Sequence, residues 1–351
     1  MKLRWPRMLT ILLSMGCSQP KEGETEPTEP PVDLVSKIDP LIGTGGVGFG
    51  VGSAYPGAAW PFGLVRPSPD TAENNGNKPG FHHCSGYHHD DTAIEGFSQL
   101  HLHGIGVPAH GLISLMPVDG WDTSMMDEDG YRNTFSHSQE HAEAGLYTVT
   151  MDDPSIAVAL TATPNSALHR YRFSDGVAEP TVILDLGHTL QGGSVMASSI
   201  TVDASGDVTG ALTADGGLGG TFNAWFRLRF NEPIMAHGGW TDGTETASTG
   251  SGVKTGAWFR FDAPEVMARI RVSLVGPPAA LSDEEDLPVF DFEANVSAVQ
   301  DAWRNSLGVF SVWGGSEDEQ VRFATALYHT QLMPQILSDD GFYPGFDAEV
   351  H

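Results

Sequence analysis

The stretches NAWFRLRF (223–230) and MARIRVSLVG (267–276) alternate apolar and polar side chains with a period of two. Successive side chains of a β-strand point to opposite faces of the sheet, so each stretch would have one buried and one wet face. This alternation is typical of antiparallel strands, because strands of parallel sheets are covered on both faces and read as continuous apolar runs. The two stretches therefore predict antiparallel β-structure.

Short runs of β-branched and aromatic residues, broken by Gly, Pro, Asn and Asp, continue this pattern from about Val35 to Val275. The further runs are GLISLMPV (111–118), GLYTVTM (145–151), SIAVALTA (155–162), ALHRYRF (167–173), PTVILDLG (180–187) and GAWFRF (256–261). With 42 Gly and 23 Pro in 351 residues, the composition favours a loop-rich β-protein. No fixed-period repeat is evident, which argues against a propeller or a solenoid. The sequence predicts a mainly β fold, with a large antiparallel β-sandwich over residues 35–290.

The hydrophobic period becomes helical after Pro288, and Gly308 stands where a first helix would end. The apolar positions of this helix are Val296, Val299, Trp303 and Leu307. A second helix is predicted to begin at a capping box, Ser316 to Glu319, and to stop before Pro334. Its apolar stripe is Val321, Ala324, Leu327, Tyr328 and Leu332.

The beginning of the chain has the pattern of a bacterial export signal. A basic start precedes an apolar run from Met8 to Met15, which is far shorter than the ~20 residues that span a bilayer. Gly16-Cys17 resembles a lipoprotein cleavage site, so residues 1–17 are predicted to be a signal peptide and Cys17 the lipidated residue. Simple secretion and a retained anchor are alternatives. Residues 18–34 are rich in Pro and Glu and predict a disordered tether.

These features predict an exported protein, held in the bacterial cell envelope as a lipoprotein or released to the periplasm or the exterior. Forty-five acidic residues against eighteen Lys and Arg give a formal charge of -27, which repels phosphate backbones and anionic lipid. The charge argues against nucleic-acid binding and leaves the lipid anchor as the contact with a membrane. Cys84 is the other cysteine, so a disulfide within the folded part is excluded and burial of Cys84 is predicted.

Half of the fourteen histidines lie between residues 82 and 110. In a strand, His101 and His103 would face the same side and could hold a transition metal together with further nearby ligands. Those further candidates are His88, His89, Asp90 and His110. Acid-base catalysis is another alternative, although no GxSxG motif or obvious nucleophile accompanies the histidines. The favoured interpretation is a polar pocket wall that suits the hydroxyls and the apolar ring face of a sugar, with purely structural histidines as the remaining alternative.

Six segments carry a resemblance to a known family. They are DPLIGTGGVGFG (39–50), YPGAAWPFGLVRPSPDT (55–71), CSGYHHDD (84–91), GFSQLHLHGIG (96–106), ATPNSALHRYRF (162–173) and ALYHTQLMPQILSDDGFYPGFDAEVH (326–351). In this order they resemble segments of glycoside hydrolase family 92, the bacterial exo-acting α-mannosidases. The resemblance implies a β-sandwich of mutarotase-like, galactose-binding-like type, a helical linker at 291–334 and the truncated start of an (α/α)6 barrel at 335–351.

The resemblance also implies hydrolysis of terminal α-linked mannose with inversion, and calcium at the site. The catalytic carboxylates and the main calcium ligands of the family lie beyond the segment that FYPGFDAEVH (342–351) resembles. No catalytic or metal-binding residue is therefore carried over to this chain, which we expect to be inactive alone. An incomplete barrel should also leave Leu327, Tyr328 and Leu332 exposed as a sticky patch.

Substrate-binding positions are carried over from the resemblance. Asp347 matches an Asp that hydrogen-bonds the terminal mannose, and a carboxylate accepting two sugar hydroxyls is chemically sensible. The other positions are Phe81, Cys84, Tyr87, His88 and His101. Phe81 stands where the family usually has Trp, and Gln99 and His103 replace a His and a Ser of the family pattern. We expect Phe81, Tyr87, His88 and His101 to surround one concave surface.

The sequence thus predicts the N-terminal portion of a calcium-dependent inverting exo-α-mannosidase that acts on a mannose-containing glycan. A stand-alone carbohydrate-binding surface lipoprotein is the alternative from another class. A metal-dependent enzyme built on the histidines is a third.

Overall fold

The structure is a computed structural model, and it describes residues 30–78, 81–191, 193–215, 220–247, 249–277, 290–345 and 349–351. Cys17, the signal segment, most of the predicted tether and Asp347 lie outside these described residues. Within the described part, no helix is both long enough and apolar enough to cross a membrane.

Sixteen strands lie in the described residues, and all of their pairings are antiparallel. They are β1 Ser68–Ala72, β2 Ala93–Leu100, β3 Leu112–Asp119, β4 Asn133–Glu143, β5 Leu146–Met151, β6 Ile156–Ala162, β7 Ser166–Phe173, β8 Pro180–Asp185, β9 Ser194–Val202, β10 Val208–Asp215, β11 Thr221–Phe230, β12 Ala236–Thr241, β13 Thr244–Thr246, β14 Gly250–Gly252, β15 Thr255–Arg260 and β16 Glu265–Ser273. The eight runs that alternation and composition predicted as strands are β3, β5, β6, β7, β8, β11, β15 and β16. The mainly β antiparallel fold is confirmed.

The strands form two layers that share one strand. The first layer runs β13-β12-β15-β8-β3-β2-β1, and the second runs β4-β5-β6-β7-β16-β11-β10-β9-β14. Strand β4 joins them, since Asn133 and Thr134 pair with β2 while the residues from Phe135 onward pair with β5. The register of β4 shifts between Phe135 and Glu140. This irregularity marks the point where the chain passes from one layer to the other.

One hydrophobic core lies between the layers. In β11 the alternation buries Ala224, Phe226 and Leu228, as the sequence predicts. Each fully buried Phe or Leu side chain contributes about 1.5–3 kcal/mol of transfer free energy. In β16 the alternation is lost at the carboxyl end, where Arg271 is also buried because its guanidinium pairs with Asp339 at 2.8 Å. The segment after the last helix therefore covers this end of the outer face.

Three α-helices occur in the described residues: α1 Glu128–Tyr131, α2 Phe292–Leu307 and α3 Glu317–His329. The predicted end of α2 before Gly308 is confirmed, and so is the capping box, in which Ser316 and Glu319 bond each other's backbone N–H. Helix α3 ends at His329, five residues before Pro334.

Helices α2 and α3 pack on the sandwich through a second apolar cluster. Tyr328 and Leu332 are fully buried there against Tyr55 and Trp303, and Leu327 is partly buried. The Trp303 indole N–H donates to Ala59 O at 2.7 Å, which satisfies the polar group of this large side chain. The prediction that this stripe is exposed is wrong, because the loop that carries Tyr55 and Ala59 covers it.

Candidate functional site

The glycine-rich loop of residues 43–54 lies against the histidine-rich segment 81–91. Gly43 and Gly46 have φ of +86° and +112°, a conformation that favours glycine. The backbone N–H of His89 donates to Thr44 O at 3.0 Å, and a ring nitrogen of His88 lies 2.9 Å from Gly46 O. The loop is therefore held by the backbone and a side chain of the histidine-rich segment.

The segment after β2 reaches the same place. Gly104 N donates to Ser53 O at 2.8 Å, and the Ser85 hydroxyl donates to Leu102 O at 2.8 Å. After α3, the Gln335 amide donates to His101 O at 3.2 Å. Residues 43–54, 81–91, 99–104 and 329–335 thus converge, and we call this region the motif junction. Four of the six segments that carry the family resemblance contribute to it.

Most of the predicted substrate-binding residues lie beneath the surface of the motif junction. Cys84, Tyr87, His88 and His101 are each at most 2% exposed, whereas the Phe81 residue is 60% exposed. The Tyr87 hydroxyl donates to Glu140 Oε2 at 2.9 Å, and the Cys84 thiol donates to Phe81 O at 3.1 Å.

Cys84, Tyr87, His88 and His101 are therefore buried in the sandwich and do not form an exposed pocket wall. Their polar atoms are hydrogen-bonded to other protein groups. Of the predicted substrate-binding residues that the structure describes, Phe81 alone is exposed at the surface. Direct contact of any of them with a substrate stays a prediction, and Asp347 lies outside the described residues.

A buried chain of ionisable side chains lies beneath the motif junction. The two Asp70 oxygens lie 2.8 Å from His101 Nε2 and 2.8 Å from His188 Nε2. His188 Nδ1 lies 2.9 Å from Glu128 Oε1, and His101 Nδ1 lies 2.8 Å from Arg66 O. All four nitrogens of the two rings therefore face oxygen acceptors.

This arrangement shifts the pKa values of its members. Burial alone would lower the pKa of His188, but its hydrogen bonds to Asp70 and Glu128 outweigh burial and raise the pKa to about 10. Burial opposes ionisation of the Asp70 and Glu128 carboxyls. Nevertheless, His101 and His188 hold the pKa of Asp70 far below its usual range. In the same way His188 lowers the pKa of Glu128 to about 2. Asp70, Glu128 and His188 are thus ionised at neutral pH, and the His188 ring lies between the two carboxylates.

His101 and His103 do not share a metal site. Strand β2 ends at Leu100, so strand alternation does not orient the two rings. The His101 ring faces Asp70, while the His103 ring packs on Tyr55 and lies 4.6 Å, centroid to centroid, from the His329 ring. Burial lowers the pKa of His103 to about 4 and also lowers the pKa of His329, so both rings are neutral near pH 7.

Another set of residues has metal-ligand spacing. Among the described residues, His89, His137 and Glu140 form the group whose ligand atoms all lie within 4.8 Å of one another. Of the further ligands that the sequence suggested, His89 alone belongs to it. Sequence reasoning missed His137 and Glu140, which lie some fifty residues further along the chain, in the irregular part of β4.

Comparison with known proteins identifies the family. The model of the glycosyl hydrolase family 92 N-terminal domain matches residues 37–273, and the model of the family 92 catalytic domain matches residues 279–351. The chain belongs to glycosyl hydrolase family 92. No protein with a curated description matches it.

Solved structures of family 92 α-mannosidases share the fold. One from Bacteroides thetaiotaomicron has 25% identity and a TM-score of 0.81, covering 91% of this chain and 44% of its own. The structure of the same enzyme in complex with mannoimidazole has the same identity and TM-score, and the match covers 91% of this chain and 43% of the enzyme. An inverting family 92 mannosidase of this organism, at 24% identity and a TM-score of 0.75, covers 93% and 44% and supports the fold alone. The chain spans less than half the length of these relatives.

Proposed function

We propose that this chain acts as the N-terminal portion of an inverting exo-α-mannosidase that removes terminal α-mannose from glycans. The observation that carries the proposal is the match to both family 92 domains in one chain, with the fold of a mannosidase that binds mannoimidazole. In this proposal the motif junction contributes part of the wall of the sugar site. The exposed Phe81 ring supplies an apolar surface for a sugar ring face, and Asp347 accepts hydroxyl hydrogen bonds.

The acid-base chemistry is assigned to the remainder of the catalytic domain. Inverting hydrolysis needs a general acid and a general base about 6.5–9.5 Å apart on opposite faces of the sugar. The buried carboxylates near the junction are engaged elsewhere: Asp70 with two imidazoles, Glu140 with two tyrosines, and Asp91 with Thr71 and His83. None of these three is free to protonate a leaving group or to activate water.

The described residues do not fit the calcium ion that the family resemblance implies. Ca²⁺ takes about 6–8 oxygen ligands, whereas the described three-residue cluster with ligand spacing contains two imidazoles and one carboxylate. In this proposal the ligands of the calcium ion therefore lie on the rest of the catalytic domain.

We also propose that the protein is exported and anchored through Cys17. The basic start and the short apolar run before Cys17 support this. Cell fractionation of a Cys17→Ser variant should move the protein from the membrane to the soluble fraction. An unchanged distribution would contradict the anchor.

Hydrolysis of an aryl α-mannoside tests the enzymatic proposal. The 351-residue chain should show no turnover alone, and turnover should appear when it is joined to the coding sequence that follows it in the gene. In the active form, Phe81→Ala should raise KM, while Phe323→Ala, which removes an exposed aromatic ring outside the six family-like segments, should not. Turnover by the chain alone would contradict the placement of the catalytic groups. Binding of a mannose disaccharide without turnover in either form would favour the carbohydrate-binding lipoprotein instead.

A further inference from the structure

An uncommon group of side chains lies where the histidine segment meets strand β4. The His89 and His137 rings are stacked, with centroids 4.2 Å apart and an interplanar angle of 21°. His137 Nδ1 lies 2.7 Å from Glu140 Oε2. A ligand atom can be chosen from each residue so that the three lie within 4.8 Å of one another.

Glu140 is fixed from behind by two buried tyrosines. Its Oε1 accepts a hydrogen bond from the Tyr147 hydroxyl at 2.6 Å, and its Oε2 accepts one from the Tyr87 hydroxyl at 2.9 Å. Both tyrosines are at most 1% exposed. Phenols that donate to a carboxylate fix its orientation, as outer hydrogen-bond partners do for metal-ligating carboxylates.

The charge of Glu140 calls for a cation. The carboxylate side chain is 1% exposed, and its ion pair is with His137, whose side chain is 35% exposed. A buried carboxylate is costly unless a positive group compensates it. Among these three neighbours of the carboxylate, His137 is the one that reaches solvent, because Tyr87 and Tyr147 are both buried. A cation that enters from solvent would therefore meet both imidazoles and the carboxylate together.

We infer that His89, His137 and Glu140 bind one divalent transition metal ion of the zinc type. Two imidazole nitrogens and one carboxylate oxygen suit Zn²⁺, which accepts three protein ligands with a water in the fourth position. Each residue supplies one atom, and the stacked rings turn so that an in-plane nitrogen lone pair of each faces the ion. The proton held between His137 Nδ1 and Glu140 Oε2 leaves to solvent as the ion enters. The ion is separate from the calcium of the proposed mannosidase, and the inference does not depend on that function.

The location gives the metal a structural role. His89 belongs to the motif junction, where its backbone N–H holds Thr44 and its Cβ lies against Gly45. His137 and Glu140 belong to β4, the strand shared by the two layers. A bound ion would therefore tie the glycine-rich loop to the joint of the sandwich.

Titration of the untagged 351-residue chain with Zn²⁺, and with Co²⁺ as a spectroscopic probe, tests the inference. We expect one equivalent to bind, with the visible absorption of four-coordinate Co²⁺. Zn²⁺ at a hundred times its dissociation constant should raise the melting temperature by about 5 °C, and EDTA should reverse the rise.

Substitutions locate the site. His89→Ala and His137→Ala should each abolish the stoichiometric equivalent, while Tyr147→Phe should weaken binding by about 10- to 100-fold. His141→Ala is the matched control, because His141 is an exposed histidine of the same strand outside the cluster, and it should bind like the parent. Melting temperatures in EDTA establish that each variant is folded. Equal binding by all variants, or no equivalent bound by the parent chain, would overturn the inference.

Discussion

Asp70 and Glu140 are both buried carboxylates beneath the motif junction, but their surroundings differ. Asp70 lies between two imidazoles whose other nitrogens face protein oxygens, so every member of the network has a partner inside the protein. Glu140 has two phenols on one side and a partly exposed imidazole on the other. The difference teaches that a network whose polar atoms all have protein partners supports the fold, whereas a carboxylate beside a partly exposed imidazole can accept a ligand.

The largest effect is expected at Asp70. Asp70→Asn keeps the shape but removes the charge between His101 and His188, and breaking a buried ion pair costs about 3–5 kcal/mol. Urea unfolding should show this loss, while Asp301→Asn, at an exposed helix position, should change the free energy of unfolding by about 0.5 kcal/mol or less. If Asp70→Asn lowers the free energy of unfolding no more than Glu140→Gln does, the proposed difference between the two carboxylates is wrong.

The pH dependence of stability should report the same network. Because the folded pKa of His188 is raised to about 10, its contribution is complete below about pH 6.5 and is lost as the pH rises toward 10. Asp70 and Glu128 have lowered pKa values, so their contributions disappear as the pH falls below about 4. Burial raises the pKa of Asp185 to about 6, so most of its titration lies below the alkaline window.

Urea unfolding between about pH 6.5 and 10 should therefore show a decline on the order of 3 kcal/mol. His188→Gln should make this decline shallower, and part of what remains comes from Cys84, because burial raises the pKa of its thiol in the folded chain. An equal slope in the parent and the variant would assign it to other groups.

Gly86→Ala probes how tightly the network is packed. Gly86 has φ of +87°, and a Cβ there would overlap the Asp70 carboxylate and lie 3.1 Å from His101 Nε2. We expect a loss of about 2–3 kcal/mol, more than the 1–2 kcal/mol of left-handed strain alone. Gly104→Ala is the control that measures the left-handed strain alone, because Gly104 has φ of +71° and nothing lies within 4 Å of its Cβ position. Equal melting temperatures for the two variants would show that the network yields to the extra methyl group.

The smallest effect is expected at Glu140. Glu140→Gln keeps one oxygen acceptor for a tyrosine and removes a charge that is only partly compensated, so the cost should be about 1–2 kcal/mol. The measurement is the urea midpoint in EDTA. With saturating Zn²⁺ the gap between variant and parent should widen, because the parent alone gains the ion. A gap that stays constant would remove the distinction between the two carboxylates.

Local pattern predicted much of the fold. Alternation over residues 223–230 and 267–276 indicated strands whose apolar faces are buried, and the Ser316 capping box located the start of α3. Strand β9 was missed, because its apolar and polar residues do not alternate regularly and most of them are at least partly exposed. The burial of the α3 stripe was not predicted either, because Leu332 packs against the loop at Tyr55, which lies some 280 residues earlier in the chain.

The sites were harder to predict than the strands. His188 meets Asp70 across 118 positions, a distance over which no local pattern carries information. His137 and Glu140 are three residues apart, a spacing that puts side chains on opposite faces of a regular strand. They meet because the register of β4 shifts there. The sequence showed which residue types were available, whereas the irregular backbone determined which of them come together.

The pairing of β7 with β16 has a consequence for synthesis. Strands β4 to β7 form consecutive hairpins, so they can pair as soon as residue 173 has emerged. The free edge of β7 then waits for β16, which begins at Glu265. At translation rates of about 5–20 residues per second, this edge stays unpaired for roughly 5–20 s. During that time the nascent chain presents an open row of backbone donors and acceptors, so a chaperone that shields sheet edges would have its greatest effect on yield there.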